Sequence, residues 1–544
     1  MDLRQSNLDK LQNTTYDVLV IGGGINGAVA TAALAARGLK VGLIDRNDFA
    51  SATSQESSNL VWGGIKYLEG FEFSLVRKLC LSRNQLIEAY PSTVKEIRFL
   101  ASLEPTFRRS RFTVFLGSVL YWIMGNFFTQ KPRLLSSKDI QKEEPIIDKK
   151  YCGGGLEYSD AYLHDNDARF VFNFVRSALD HGAHAANYVN ANGSTRQEGL
   201  WHTKAEDRVS GHSFTITSKV LINACGPFAD RYNQQSQLPT KHRHLFSKGI
   251  HLVINRVTPN KRVIAFFADD GRLFFVIPMG PKSCIGTTDT RVEKIPATVT
   301  AEDRRFVIDN INRRLRLSPP ITEGDIIAER CGVRPLVVGS GVRDKDTGDW
   351  TSLSRKHILE IEEEERRISI FGGKLTDCIN IGDGLTEAVE DLGISIPLPD
   401  RPWFGEPAQS IKDRFYHQAE LMELDAMTAP ESSEPLSERL WRRYGEYALI
   451  LLEEIRKEPN MADVLIHGTE YIRCEIHHAA RYEMVTRLED FLRRRSKIAL
   501  IAAKDTIREA PGLMEACKIL FGDQGEERFN EYFAPEKKVA PSPE

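Results

Sequence analysis

The chain has 544 residues, 41% hydrophobic and 27% charged, with 72 Lys and Arg against 75 Asp and Glu for a net charge of −3. That length fits two to four domains of roughly 100–200 residues. The balance excludes wholesale disorder, collagen-like and coiled-coil architecture, and a bulk basic surface for nucleic acid.

A polar, mixed-charge extension at residues 1–15 is unlike a secretory signal. The β-branched run Tyr16 to Ile21 reads as a buried strand. After Gly22-Gly23-Gly24-Ile25-Asn26-Gly27, an alanine-rich helix runs from Ala28 to about Arg37, and Lys40 to Asp45 reads as a second strand. This βαβ unit places Gly22-x-Gly24-x-x-Gly27 between strand and helix, with Asp45 23 residues after Gly22. In that setting Gly22 permits the tight turn, Gly24 lets the backbone approach a pyrophosphate, and Gly27 allows close helix–sheet packing. The helix N-terminus offers N–H groups to the anion. Asp45 suits the hydroxyls of a ribose and would repel a 2′-phosphate, so an ADP-bearing dinucleotide other than NADP is expected.

Ala52 to Leu60 is dense in hydroxyls, able to donate to phosphates and to a flavin ring, and Gly63-Gly64 permits close approach to a flat cofactor. Residues 71–150 read as mostly helical. Within them, Phe112 to Gln130 carries no charge and is flanked by Arg109, Arg111, Lys131 and Arg133. Nineteen residues with several polar positions are short for a bilayer span of about 20. A buried core helix, or a patch lying in the membrane interface with Arg108, Arg109 and Arg111 at lipid phosphates, are the other readings.

Residues 151–330 carry strand-like runs such as Ser218 to Ala224 and Leu273 to Pro278, and 356–371 resembles a hairpin whose acidic turn is Glu362 to Glu365. From 410 to 533 the pattern is helical and charge-rich, as in Glu438 to Ile455 and Ile472 to Arg495, and 535–544 reads as disordered. The eight cysteines, at 80, 152, 225, 284, 331, 378, 474 and 517, form no CxxC pair, so reduced and mostly buried thiols in a reducing compartment are expected. His181, His184, His477 and His478 lack companions at ligand spacing, so no metal site is expected.

Several of these segments resemble the flavin-dependent glycerol-3-phosphate dehydrogenases. They are IGGGING at 21–27, TSQESS at 53–58, GGIKYLE at 63–69, LEYSD at 156–160, NACGP at 223–227, GTTD at 286–289, GVRPL at 332–336 and FGGKLT at 371–376. They occur in the family's order, and the helical tail matches in texture. The resemblance implies an α/β fold: a Rossmann-like FAD-binding domain, an interleaved antiparallel-sheet substrate domain, and an all-helical C-terminal domain. It places the oxidoreductase region at 16–400, with FAD-binding parts near 16–80, 151–230 and 330–395 and substrate- or membrane-facing parts near 81–150 and 231–329. The helical domain follows at 401–534.

The implied reaction is oxidation of sn-glycerol 3-phosphate to dihydroxyacetone phosphate by hydride transfer to FAD, electrons passing to a quinone. Such an enzyme would sit peripherally on the cytoplasmic face of the inner membrane. A homodimer is compatible with it. The implied cofactor contacts are Gly22, Gly24, Asn26, Gly27, Asp45, Thr53, Ser54, Ser57, Ser58, Leu60, Gly226, Gly373, Leu375 and Thr376. The substrate contacts are Lys66, Tyr67, Arg334, Arg355 and Lys374, with His251, Arg334 and Lys374 as the catalytic set.

Three positions depart from the family. Trp62 stands where the family usually has His, and Lys66 where it usually has Arg. Asn59 likewise replaces a usual Lys. Indole N–H only donates, so Trp62 is no base, and His251 in Lys248-Gly249-Ile250-His251 becomes the imidazole candidate. The departures leave open a relative acting on another hydroxy or amino compound, an oxidase, or a flavin-binding protein with weakened catalysis.

Overall fold

The β-branched run near the start forms the strand Thr15–Ile21, a central member of an eight-stranded sheet. In order, this sheet holds Ile358–Glu362, Arg367–Phe371, Ser213–Asn223, Thr15–Ile21, Val41–Ile44 and His184–Ala186. All of these pairs are parallel except the first, the hairpin read from the sequence. Leu200–Asp207 and Val189–Gln197 extend the sheet antiparallel from the early half of Ser213–Asn223. Parallel strands bring their C-terminal ends to one edge, where ligands of such sheets bind. Here that edge delivers Gly22, Asp45, the turn 224–226 and Gly372-Gly373.

The structure, a computed structural model, describes residues 2–341 and 357–535. It divides into two units, Met1–Glu406 and Pro407–Glu544. In the first, the helix Ile25–Ala36 is almost wholly buried, as its alanines allow, between the sheet and the helices Asp167–Asp180 and Cys378–Asp391. The polar extension folds as the helix Leu3–Asn13. Its Leu8 and Leu11 join the core around Tyr16, Leu19 and Trp201, and Arg4 pairs with Asp207 at 2.5 Å.

The second sheet of this unit has ten strands built around His242–Asn255, which pairs with Lys282–Gly286 and Thr290–Val292 on one side and Ala328–Gly339 on the other. It continues through Leu273–Met279, Val263–Phe267, Val94–Ser102 and Gly155–Leu163 to Leu60–Val61. The sheet is antiparallel as expected except where Val263–Phe267 runs parallel to Val94–Ser102. That last strand corrects the mostly helical reading of 71–150. Its charges Lys95, Glu96 and Arg98 hid the pattern, while Val94, Phe99 and Leu100 enter the core.

The uncharged stretch forms the helix Arg111–Met124, capped by Ser110, whose Oγ accepts the Thr113 N–H at 3.1 Å. It is no core helix. Ser118 and Tyr121 are buried, whereas Phe112, Leu116, Leu120 and Ile123, spaced one turn apart, are 38–57% exposed. Phe127 and Phe128 extend the apolar surface. Arg108 and Arg109 share Glu69, at 2.7 and 3.8 Å. Among the described residues no helix is long and apolar enough to cross a membrane.

The second unit is helical, with two apolar clusters around Trp441 and around Phe491. Both long helices expected there are broken. Glu438 to Ile455 divides at Gly445, with φ +54°, into Leu436–Tyr444 and Ala448–Lys457. Ile472 to Arg495 stops as Arg473–Tyr482, ahead of Met484 with φ +50°. Of the eight cysteines six are buried and none is in a disulfide. Arg355 and residues 536–544 of the expected disordered tail lie outside the described residues.

Candidate active site

The nucleotide turn is shaped by glycine. Gly22 has φ +103°, and a Cβ there would lie 2.6 Å from the Ala224 carbonyl; a Cβ on Gly27 would lie 1.8 Å from the Gly22 carbonyl. Gly27 therefore works by packing and does not line the cleft. The helix Ile25–Ala36 begins at Gly24 without a side-chain cap, the arrangement that leaves N–H groups for an anion. Asp45 orders the turn, its Oδ2 accepting the Gly23 N–H at 2.7 Å and its Oδ1 the Asn47 N–H at 2.8 Å. Burial pushes the Asp45 carboxyl up to about 6, against the two backbone hydrogen bonds.

Two adjoining cavities follow the C-terminal edge of the parallel sheet. The first is lined by Gly22, Gly24, Asn26, Asp45, Thr53, Ser54, Gly226 and Gly373, and also by Arg46, Asn190, Asn192 and Arg231. The second shares Ile25, Thr53, Ser54, Pro335 and Gly373 with it and reaches Ser57, Ser58, Leu60, Leu375 and Thr376. A long, bent cleft with glycines at its turns and hydroxyls along one wall fits a dinucleotide with a flat ring system.

The hydroxyl-rich loop is held from beneath. Fully buried Arg330 donates to Asp167 Oδ2 at 2.7 Å, to the Gln55 carbonyl at 2.9 Å and to Asn59 Oδ1 at 2.9 Å. Asp167 Oδ2 also accepts the Ser57 N–H at 2.8 Å. Asn59 thus belongs to a buried support, where a lysine would set a second cation against Arg330. Thr53 Oγ1 donates to the Val333 carbonyl at 2.8 Å.

The second cavity also collects His251, Arg334, Lys374, Lys66, Tyr67 and Trp62 from four separate segments of the chain. His251 is buried on the strand His242–Asn255, opposite Gly286 and Arg330, and its buried Nδ1 has no hydrogen-bond partner among the described residues. Burial, with Arg330 and Arg334 adding to it, lowers His251 to about 3, so the imidazole is neutral at physiological pH. Arg334 reaches the cavity across Gly249, where a Cβ would lie 2.2 Å from its guanidinium. It donates to Asp289 and to the Thr288 carbonyl, both at 3.3 Å, and to Thr287 Oγ1 at 3.2 Å. Lys374 Nζ lies 2.9 Å from the Tyr67 hydroxyl and 4.2 Å from its ring centroid. Trp62 packs 6.0 Å from Tyr67 and 6.5 Å from Phe275, and its carbonyl accepts from Thr376 Oγ1 at 3.3 Å.

Arg272, Phe275, Glu56 and Asp289 also line this cavity and were missed as site residues. Asp289 stood inside the GTTD motif and was legible there. Arg272 and Phe275 come from a hairpin whose approach to the cleft no local pattern reveals.

Fold and cleft together define a flavin-dependent oxidoreductase. The profile of the FAD dependent oxidoreductase family matches residues 17–351, and that of the C-terminal domain of alpha-glycerophosphate oxidase matches 409–527. The chain is 31% identical over 521 residues to a glycerol-3-phosphate dehydrogenase of Synechocystis, covering 91% of each chain. It is 30% identical over 494 residues to the aerobic glycerol-3-phosphate dehydrogenase of Escherichia coli, covering 89% of this chain and 94% of that one. The solved glycerol-3-phosphate dehydrogenase of Bacillus halodurans, complexed with FAD, superposes with a TM-score of 0.71 at 23% identity, covering 98% and 96% of the two chains. The chain belongs to the FAD-dependent glycerol-3-phosphate dehydrogenase family, and its cofactor is FAD.

An expected result follows for the cofactor end. Asp45→Ala should weaken FAD binding about tenfold to hundredfold, the usual effect of losing a charge-assisted hydrogen bond. Because the carboxyl sits at about 6, FAD affinity of the cofactor-free protein should fall as the pH drops from 7 to 5, and the Asp45→Asn protein should lose that dependence. Fluorescence titration with FAD checks both, and unchanged affinity in Asp45→Ala would contradict the role.

Proposed function

We propose that this enzyme oxidises sn-glycerol 3-phosphate to dihydroxyacetone phosphate and passes the electrons to a quinone at a membrane surface. The observation that carries the reading is the convergence of a buried neutral imidazole with Lys66, Arg334 and Lys374 in one cavity beside the cofactor cleft. Bound FAD supplies the two-electron acceptor. Arg334 offers a fork and Lys374 and Lys66 point charges to a phosphate. Arg355 is proposed to add to them. His251, which lines this cavity, is proposed to take the hydroxyl proton of the substrate. Burial is the main cause that depresses this imidazole, with Arg330 and Arg334 adding to it, and a phosphate dianion held by Arg334 would offset only that added part. Trp62 shapes the wall and takes no part in proton transfer.

The exposed apolar face of Arg111–Met124 is suited to the headgroup–acyl boundary of a bilayer, and its neighbours Arg108 and Arg109 to anionic lipid. On this reading the enzyme would sit peripherally on the cytoplasmic face of the inner membrane, within reach of quinone. One experiment tests the acceptor and the surface together. Enzyme reduced anaerobically should be reoxidised faster by liposomes carrying a quinone than by air-saturated buffer. The Leu116→Glu, Ile123→Glu double variant should slow the liposome route and leave the reaction with oxygen unchanged. Faster reoxidation by oxygen in wild type would make the enzyme an oxidase.

A further inference from the structure

The motif Leu156-Glu157-Tyr158-Ser159-Asp160 contributes nothing to the lining of the cleft, yet Asp160 is fully buried among three donors. Its Oδ1 accepts the Gly63 N–H at 3.0 Å and Arg83 Nη1 at 3.3 Å, and its Oδ2 accepts the Tyr121 hydroxyl at 2.7 Å. Arg83 and Tyr121 are buried too. Arg83 is tied in turn to Asn84 Oδ1 at 2.8 Å, and Asn84 Nδ2 donates to the Gly125 carbonyl at 2.8 Å. Burying a carboxylate is unfavourable unless it is paired and hydrogen-bonded, and here each donor satisfies part of it.

Another of the donors, Gly63, does not itself line the second cavity but directly follows Trp62, which does. A Cβ at Gly63 would lie 2.2 Å from the Tyr121 hydroxyl, so the backbone rests directly on this cluster. Trp62 precedes it, and after Gly64, with φ +80°, the turn Ile65–Gly70 carries Lys66 and Tyr67. Trp62, Lys66 and Tyr67 all line the second cavity, and among the described residues no other hydrogen bond ties the Gly63 amide. A buried charge thus fixes the backbone from which three cavity residues project.

We propose that Asp160 is a positioning residue of the substrate site: by holding the Gly63 amide against Arg83 and Tyr121, it sets the register of Trp62, Lys66 and Tyr67 against Arg334 and Lys374. The proposal rests on the reading of this cavity as the site of a phosphorylated alcohol. Its test therefore has one arm that needs no substrate.

In the resting FAD-loaded enzyme, amide hydrogen exchange of the 61–68 segment should quicken about tenfold in Asp160→Asn and about threefold in Tyr121→Phe, while the 18–30 segment is unchanged. The second arm is a double-mutant cycle read from the dissociation constant of sn-glycerol 3-phosphate in anaerobic flavin reduction. Asp160→Asn should raise that constant about tenfold in the wild-type background and less than about twofold once Lys66→Met is present, because its effect runs through that wall. Equal effects in both backgrounds, or unchanged exchange at 61–68, would overturn the proposal. Tyr121→Phe keeps the Asp160–Arg83 pair and is read in the same two ways should Asp160→Asn fail to fold. A wild-type flavin that no phosphorylated alcohol reduces removes the substrate reading alone, and the exchange arm then decides.

Discussion

His251→Asn should slow anaerobic flavin reduction by about 10²–10⁴-fold while leaving FAD bound and substrate affinity near normal, the range expected when a positioned base is lost. Asparagine keeps a polar group at the buried position but cannot take a proton. The imidazole is pressed down to about 3 by burial, Arg330 and Arg334. A histidine lowered in this way stays unprotonated as the pH falls and gains its proton only near pH 3. Free wild-type enzyme should therefore show no acid limb near pH 6.5 that His251→Asn removes. Such a limb would contradict the neutral, buried imidazole, and reduction at the wild-type rate in His251→Asn would remove the base assignment altogether. Trp62→His tests the complementary point: it should keep or raise activity toward the phosphorylated alcohol, since the indole is given no part in the proton chemistry.

Arg334→Ala should lower kcat/KM for the phosphorylated alcohol about tenfold to hundredfold with FAD retained, corresponding to about 1.5–3 kcal/mol for a charged hydrogen bond. Lys374→Ala should act in the same direction and range. The side chain of Arg334 is 29% exposed and held by Asp289, so its guanidinium is oriented before substrate arrives. Its removal also lifts one of the positive charges that depress His251, so the imidazole should rise toward its ordinary value. Steady-state kinetics on glycerol and on its phosphate separate the two effects. A loss confined to the phosphorylated substrate supports the phosphate contact, and an equal loss on both contradicts it.

The βαβ opening was legible because Gly22 and Gly27 answer steric demands that no side chain meets: a Cβ at position 22 would collide with the Ala224 carbonyl and one at position 27 with the Gly22 carbonyl. The same logic makes Gly249 readable in retrospect, since its missing side chain is the space the Arg334 guanidinium occupies. Other features left no local trace. Val94–Ser102 carries charge at interior positions of a strand and so reads as helix, until pairing with Gly155–Leu163 and Val263–Phe267 fixes it in a sheet. An uncharged run such as 112–130 reads as buried, span or interface alike, because hydropathy does not say what lies opposite. Only tertiary structure shows that Tyr121 faces Asp160 while Phe112, Leu116 and Ile123 face outward. The support beneath the hydroxyl-rich loop was hidden for the same reason, since Arg330 and Asp167 are 163 residues apart.

Trp62 and Lys66, in place of the family's usual His and Arg, bear most directly on the choice of substrate. The direct measurement is anaerobic bleaching of the flavin in wild-type enzyme, with sn-glycerol 3-phosphate, glycerol and a small amino acid compared at equal concentrations. Full bleaching by the phosphate is expected, with dihydroxyacetone phosphate as product, and at least about tenfold slower reduction by glycerol. Bleaching by glycerol as fast as by its phosphate, or by the amino acid and not the phosphate, would contradict that expectation.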